Sequence, residues 1–395
     1  MKKIKIIIAA ILIIVAINAC KKTVDVAADI TPPPPIPSGQ TVKDIYVGGY
    51  EYTTFIPPQG ATPGYYTNPQ AKIWKNGIQM PINPTPFLGS VNDIAVVGND
   101  VYGVGQVDTA VYQPNNQVMV KPAFWKNGVP TFLSLPGQGG VAYKIQIVGS
   151  DIYIAGSEYG SSSTGTGVIW KNGIKIYSEA NTSIRDLKVI GNDIYMALRQ
   201  GIGSAASGAY YKNGVYTDLG VDAYPSALAV EGNNVYVVGF KYVSFNITTA
   251  TIWKNAVATE LNTSTLSSSA QAVTINNGNI YVVGYRNAAT NAASGLYDRA
   301  CVWKNGVEDF TYGGYNPSFP FGATMFNGVE LVNNEMYTLG WCSSSSTFTS
   351  GTGLSQREAF TQKNKLGTTA INTNMSVTPG NAYGVTARCM FITKQ

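Results

Sequence analysis

The chain has 395 residues, only 12% of them charged, and is rich in Gly (42), Tyr (25) and Pro (20). That is a turn-rich, strand-rich composition, which excludes a helical bundle and a disordered chain. Lys and Arg (27) exceed Asp and Glu (22), but three of the lysines precede Cys20, so the rest of the chain lacks the basic excess of a nucleic-acid binder.

Lys2, Lys3 and Lys5 precede an unbroken apolar run, Ile6 to Ile17. Spanning a bilayer takes about 20 apolar residues, so this run fits a secretory signal instead. It leads into Ile17-Asn18-Ala19-Cys20, which resembles a bacterial lipobox. The resemblance implies cleavage before Cys20 and lipid attachment there. Residues 1–19 are then a lipoprotein signal peptide, and 20–40 a lipidated Cys with a Pro-rich tether. At about 3.1 Å per residue in polyproline II, the tether reaches at most ~60 Å. Lys21-Lys22 follows Cys20 with no Asp, which by analogy with enteric bacteria points to the outer membrane and leaves the leaflet unassigned.

From residue 41 to 395 one pattern recurs seven times. Its first half is Asp44-Ile45-Tyr46, Asp100-Val101-Tyr102, Asp151-Ile152-Tyr153, Asp193-Ile194-Tyr195, Asn234-Val235-Tyr236, Asn279-Ile280-Tyr281 and Glu335-Met336-Tyr337, most of them with Gly three residues after the Tyr. Its second half is Trp-Lys-Asn-Gly at Trp74, Trp125, Trp170 and Trp303, with variants at Tyr211, Trp253 and Gln362-Lys363-Asn364. Asn-Gly and Gly-Asn between β-branched residues are strong hairpin signals. Each unit therefore predicts four short strands, A to D, with tight A–B and C–D turns. Asn255-Ala256 and Asn364-Lys365 lack the turn Gly and predict strained or altered turns.

Four-stranded units repeated at spacings of 41 to 56 residues predict an all-β fold, a single β-propeller of seven blades. The first unit has no strand A of its own; Gly384 to Ile392 can add that strand and close the ring. The repeated Tyr and Trp read as packing between blades. The Gly-ended strand and aromatic hairpin distantly resemble kelch-type propellers, although the double Gly of that motif is mostly missing. The chain looks most like Bacteroidota-type lipoproteins with serial Trp-Lys-Asn-Gly units, a likeness that brings no established activity with it.

The B–C and D–A connections are long and share one face, where variable loops build contacts. Tyr50, Tyr52, Phe55, Tyr65, Tyr66, Tyr242, Arg286 and Trp341 are the candidate binding residues there, suited to a glycan or a protein partner. Nine residues before the repeat Tyr, Asp93, Lys144 and Asp186 form a charged series at the channel mouth, either a polar ligand site or an inter-blade ion-pair network. Asp108-Thr109-Ala110 resembles the O-glycosylation site of exported Bacteroidota proteins, which marks Thr109.

Without histidine, Ser-His and Cys-His nucleophiles are excluded. Cys301, Cys342 and Cys389 are an odd set that allows one disulfide, and no metal or cofactor motif is present. The leading expectation is a monomeric, non-catalytic envelope lipoprotein that binds through its long-loop face. The alternatives are a glycoside hydrolase using Asp93 and Asp186 as paired carboxylates, and a structural envelope protein.

Overall fold

The computed structural model describes residues 41–56, 65–82, 88–112, 117–134, 138–159, 165–245, 247–262, 266–289, 296–312, 315–316, 319–333, 335–344, 356–365, 371–373 and 385–395. The signal, Cys20 and the tether lie outside them. The described chain forms seven antiparallel sheets, six of four strands and one of five. In blades 2 to 6 the innermost strand A is Gly89–Val97, Gly139–Val148, Thr182–Ile190, Ala223–Glu231 and Ser268–Asn276. Blade 7 starts from Phe319–Val332, and its fifth strand is the short Tyr315–Asn316. Blade 1 takes strand A from the C-terminus: Val385–Lys394 pairs with Val42–Ile56, and Thr41 exchanges two backbone hydrogen bonds with Gln395. Each strand A packs against that of the next blade, and the seventh against the first, so the ring is closed.

The C–D corner explains the repeat. In blades 1 to 6 Asn76, Asn127, Asn172, Asn213, Asn255 and Asn305 turn with φ of 47–52°. Each side-chain oxygen accepts a 2.8 Å hydrogen bond from the amide of the Ile or Val after the repeat acid or amide on strand B. Each side-chain nitrogen donates to Asp44, Asp100, Asp151, Asp193, Asn234 or Asn279 at 2.6–2.9 Å. The preceding Lys lies 5.0–5.7 Å over the repeat Tyr ring in all seven blades. In five it also pairs with the acid at 2.8–3.1 Å. The lysines at Asp44 and Asp151, and the corner Asn ahead of the lysine at Asp100 and Asp193, hold these carboxyls below their usual range. The corner at Asn255-Ala256 keeps the same turn and forces Ala256 to φ 69°.

The aromatics pack between blades. Tyr46 shares a buried cluster with Trp125, Tyr102 with Trp170, Tyr195 with Trp253 and Tyr236 with Trp303, each pair spanning two neighbouring sheets. The indole N–H groups of Trp74, Trp125, Trp170 and Trp303 are buried without an acceptor, so these rings contribute volume and not hydrogen bonds.

Every strand A carries a register shift, in blades 1 to 6 within its first half, where one extra residue bulges: Asn92, Tyr143, Arg185, Ser226, Gln271, Asn327 and Arg388. The bulge explains the repeat glycine. A methyl group on Gly49, Gly105, Gly156, Gly239 or Gly284 would collide with the carbonyl oxygen of Thr386, Ser90, Val141, Tyr224 or Ser269, which the bulge presses toward strand B. In blade 4 Leu198 takes this place, and nothing in the structure accounts for its being tolerated.

Candidate functional site

Strand A enters from the long-connection face, so its bulge lies near the mouth of the channel on that face. A bulge re-aims side chains and leaves strand groups unpaired, and the free edge of strand A needs partners. Neighbouring blades supply them. Asn92 donates to the Ala142 carbonyl at 2.9 Å, and Asn327 to the Ala387 carbonyl at 3.2 Å. Asp93 accepts from the Ile145 amide at 3.0 Å, and Asp186 from the Leu228 amide at 2.8 Å and from its own neighbour Leu187 at 2.9 Å. Gln146 bonds Val189 twice, at 2.8 and 2.7 Å.

Lys144 stands between the two carboxylates, 3.5 Å from Asp93 and 3.7 Å from Asp186. The structure thus brings all three channel-mouth candidates together, in an ion-pair bridge linking blades 2, 3 and 4. Burial pushes the Asp93 carboxyl upward against the pull of Lys144 and the Ile145 amide. Lys144 is desolvated, yet the two carboxylates prevail and raise its pKa. Further along the channel Glu330 is half-buried and makes no ion pair among the described residues. Burial holds its carboxyl high, opposed by Lys188, Lys394 and Lys144.

Around the mouth, arginine repeatedly meets tyrosine. The Arg185 guanidinium lies 5.8 Å over the Tyr143 ring, whose hydroxyl shares a 3.1 Å hydrogen bond with Tyr159. Arg388 lies 5.3 Å over Tyr50, which packs edge-on against Tyr52 at 5.2 Å. Arg199 lies 3.8 Å over Tyr224, which stacks on Phe240 at 4.8 Å, with Tyr242 edge-on to both. Arg199 also donates to the Val221 and Ala223 carbonyls. Arg185 and Arg388 are exposed, and among the described residues neither pairs with a carboxylate.

No family model matches the chain, and no curated protein matches it. Among solved structures it is similar to a neuraminidase-like protein of a flat-faced bat isolate from Peru, at 12% identity over 73% of this chain and 90% of that one, with a TM-score of 0.42. It is also similar to Drosophila Semaphorin 1a, extracellular domains 1–2, at 9% identity over 75% and 78% of the two chains, TM-score 0.38. A third is a β-xylosidase/α-arabinofuranosidase from a compost metagenome, at 12% identity over 75% and 97%, TM-score 0.34. Likeness of this order carries no argument about this chain.

The long-connection residues differ in place from the sequence reading. Tyr50, Tyr52, Phe55, Tyr65 and Tyr66 are not in a loop. They lie in a continued hairpin, Val42–Ile56 with Tyr65–Lys75, where Phe55 opposes Tyr66. Their β-branched and aromatic neighbours favour this continued ladder. Tyr50 is buried and Tyr52 half-buried. Tyr242 is exposed at the end of its strand, and Arg286 forks onto Glu308 at 3.0 and 3.3 Å. Trp341 and Thr109 lie in strands, Thr109 on the extended B strand of blade 2 and not in a loop. The side chains of Phe55, Tyr65, Tyr66, Thr109, Trp341 and Cys342 lie outside the described set. Cys301 and Cys389 are free and buried. Tyr143, Arg185 and Arg388 escape the sequence reading although the numbering could have flagged two of them, since Tyr143 and Arg185 stand ten residues before a repeat Tyr.

Proposed function

We propose that this protein is a membrane-anchored envelope lipoprotein of the Bacteroidota type whose propeller binds a glycan or protein partner, without catalysis, through its long-connection face. The carrying observation is the contrast between faces. At the tight corners the polar groups bond one another blade after blade. Around the mouth, Arg185 with Tyr143 and Tyr159, Arg388 with Tyr50 and Tyr52, and Tyr242 beside Tyr224 break the repeat and combine flat rings with guanidinium groups that pair with no carboxylate among the described residues. Such surfaces suit sugar rings and polar partners. The hydrolase alternative has less support, because Asp93 and Asp186 each hold a backbone amide of the next blade as well as Lys144. The test is a glycan array with a pull-down on residues 36–395, a compact unit of the chain. Arg185→Ala with Tyr143→Ala is expected to weaken capture at least about tenfold, as the loss of a cation–π-supported contact and its ring area predicts. Unchanged capture in that variant, or glycan cleavage by the wild type, overturns the reading.

A further inference from the structure

The tight-turn face carries its own repeated surface. The first residue after each C–D turn, which opens the outermost strand, is Ile78, Val129, Ile174, Val215, Val257 or Val307 in blades 1 to 6. All six are exposed, from 54% at Val129 to 75% at Ile78. An exposed edge strand is ordinarily blunted by lysine or another polar residue. Here aliphatic side chains stand at that spot blade after blade.

One lysine per blade stands beside this ring, over the repeat Tyr: Lys75, Lys126, Lys171, Lys212, Lys254, Lys304 and Lys363. In blades 5 and 6 Asn234 and Asn279 stand where the other blades carry the repeat acid, and among the described residues neither Lys254 nor Lys304 forms an ion pair. Lys43 and Lys394 add positive charge on this side, while Glu231 and the paired repeat acids Asp44, Asp100, Asp151, Asp193 and Glu335 remove some. The described chain also begins here. Strand B of every blade starts at the tight-turn face, and Thr41 directly precedes strand B of blade 1. The chain therefore enters the described body on this face, at Thr41.

We infer that the tight-turn face docks on an anionic lipid bilayer, aliphatic ring toward the acyl boundary and lysines at the phosphates. The long-connection face then points away from the membrane. Lysine with exposed aliphatic residues is the chemistry of interfacial binding, and a nearby anchor makes a weak surface effective by raising its local concentration. The inference takes its setting from the anchored reading above, but the surface is tested without the anchor.

Residues 36–395 are floated with mixed phosphatidylcholine–phosphatidylglycerol vesicles, with pure phosphatidylcholine vesicles as comparison. Co-flotation is expected with the anionic vesicles alone, falling as salt rises. Val215→Ser, Val257→Ser and Val307→Ser combined, and separately Lys254→Glu with Lys304→Glu, are each expected to cut it at least about tenfold. Circular dichroism should be unchanged in both variants, and thermal melting unchanged in the exposed valine variant; the lysine variant loses two cation–π contacts, to Tyr236 and Tyr281, and melts slightly lower. Absent flotation, equal flotation with neutral vesicles, or intact flotation in both variants overturns the inference. So does a concentration-dependent dimer that the valine variant dissolves, since the ring then belongs to a second copy. A blank glycan array leaves this result standing.

Discussion

At Ala256 a side chain occupies a left-handed backbone conformation, φ 69°, where five of the other corners place Gly. An L-residue there costs roughly 1–2 kcal/mol relative to glycine, partly offset by the larger entropy glycine loses on folding. Ala256→Gly is therefore expected to stabilise the fold by about 0.5–1 kcal/mol, read as a shift in urea midpoint at constant slope. Lys144 poses the opposite case. Removing it leaves Asp93 and Asp186 buried without a cation. Breaking a fully buried pair costs about 3–5 kcal/mol; with the Lys144 side chain 31% exposed, Lys144→Met is expected to cost about 2–4 kcal/mol at pH 7. Asp93→Asn should cost less, about 1 kcal/mol, because the amide oxygen still accepts from Ile145 and a desolvated charge disappears. The pH dependence has a definite sign. The Asp93 carboxyl is raised in the fold, so its contribution is complete below the ordinary carboxylate pKa and lost as pH rises through the folded value. Acidification should therefore narrow the gap between Lys144→Met and wild type. Asp100, Asp151 and Asp193 are depressed and act the other way, supporting the fold above the carboxylate range and ceasing to do so as pH falls through their folded values. Urea titrations of both proteins from pH 7 to about pH 4 separate the two behaviours.

Among the elements, strand A and its bulge explain most of what the repeat requires. Gly239→Ala drives a methyl into the Tyr224 carbonyl, and relief demands that the bulge flatten or the blade shift. A loss of about 2–4 kcal/mol is expected, an overpacking cost at the upper end because the obstacle is backbone. The same substitution at Gly77, φ 81° with open space around it, should cost only the left-handed penalty of about 1 kcal/mol. Equal losses at the two sites would deny the bulge its role. Turn chemistry is local, so Asn76-Gly77 and its equivalents were legible in the sequence, and with them the strands, the blade number and the C-terminal closure. The bulge was not legible, because one extra residue within a strand leaves no turn signal. Its effect appears only as the repeat glycine, which reads equally well as a strand end. The same limit hid Tyr143, Arg185 and Arg388, which are aimed by register and not by composition. It also turned the expected long connection carrying Tyr50, Tyr52, Phe55, Tyr65 and Tyr66 into a hairpin, since Thr53, Thr54, Phe55 and Tyr66 suit a strand as readily as an exposed binding loop. Asp93, Lys144 and Asp186 were found because a fixed offset from the repeat Tyr puts them on neighbouring strands. That offset gave their neighbourhood, while the amides they hold became visible only with the blades side by side.

For the whole molecule, closure distinguishes a ring from an open array. In a linear repeat protein each unit leans on its neighbours and the end units lack one interface. Here Val385–Lys394 removes both ends at once. It pairs with Val42–Ile56, while Cys389 joins the cluster shared with blade 2 and Ala387 and Ile392 join those shared with blade 7. Deleting residues 385–395 therefore removes one strand but weakens two inter-blade interfaces and bares a long edge of blade 1. The expected result is a lower thermal midpoint together with self-association in sedimentation, not a local defect confined to blade 1. Because the lost element is an edge strand, the synthetic peptide 385–395 should restore part of the midpoint by strand addition, with saturable dependence on peptide concentration. A scrambled peptide of the same composition should not. An unchanged midpoint in the truncated protein would mean that the inter-blade clusters alone hold the seven sheets in a ring, and that the terminal strand only covers an edge.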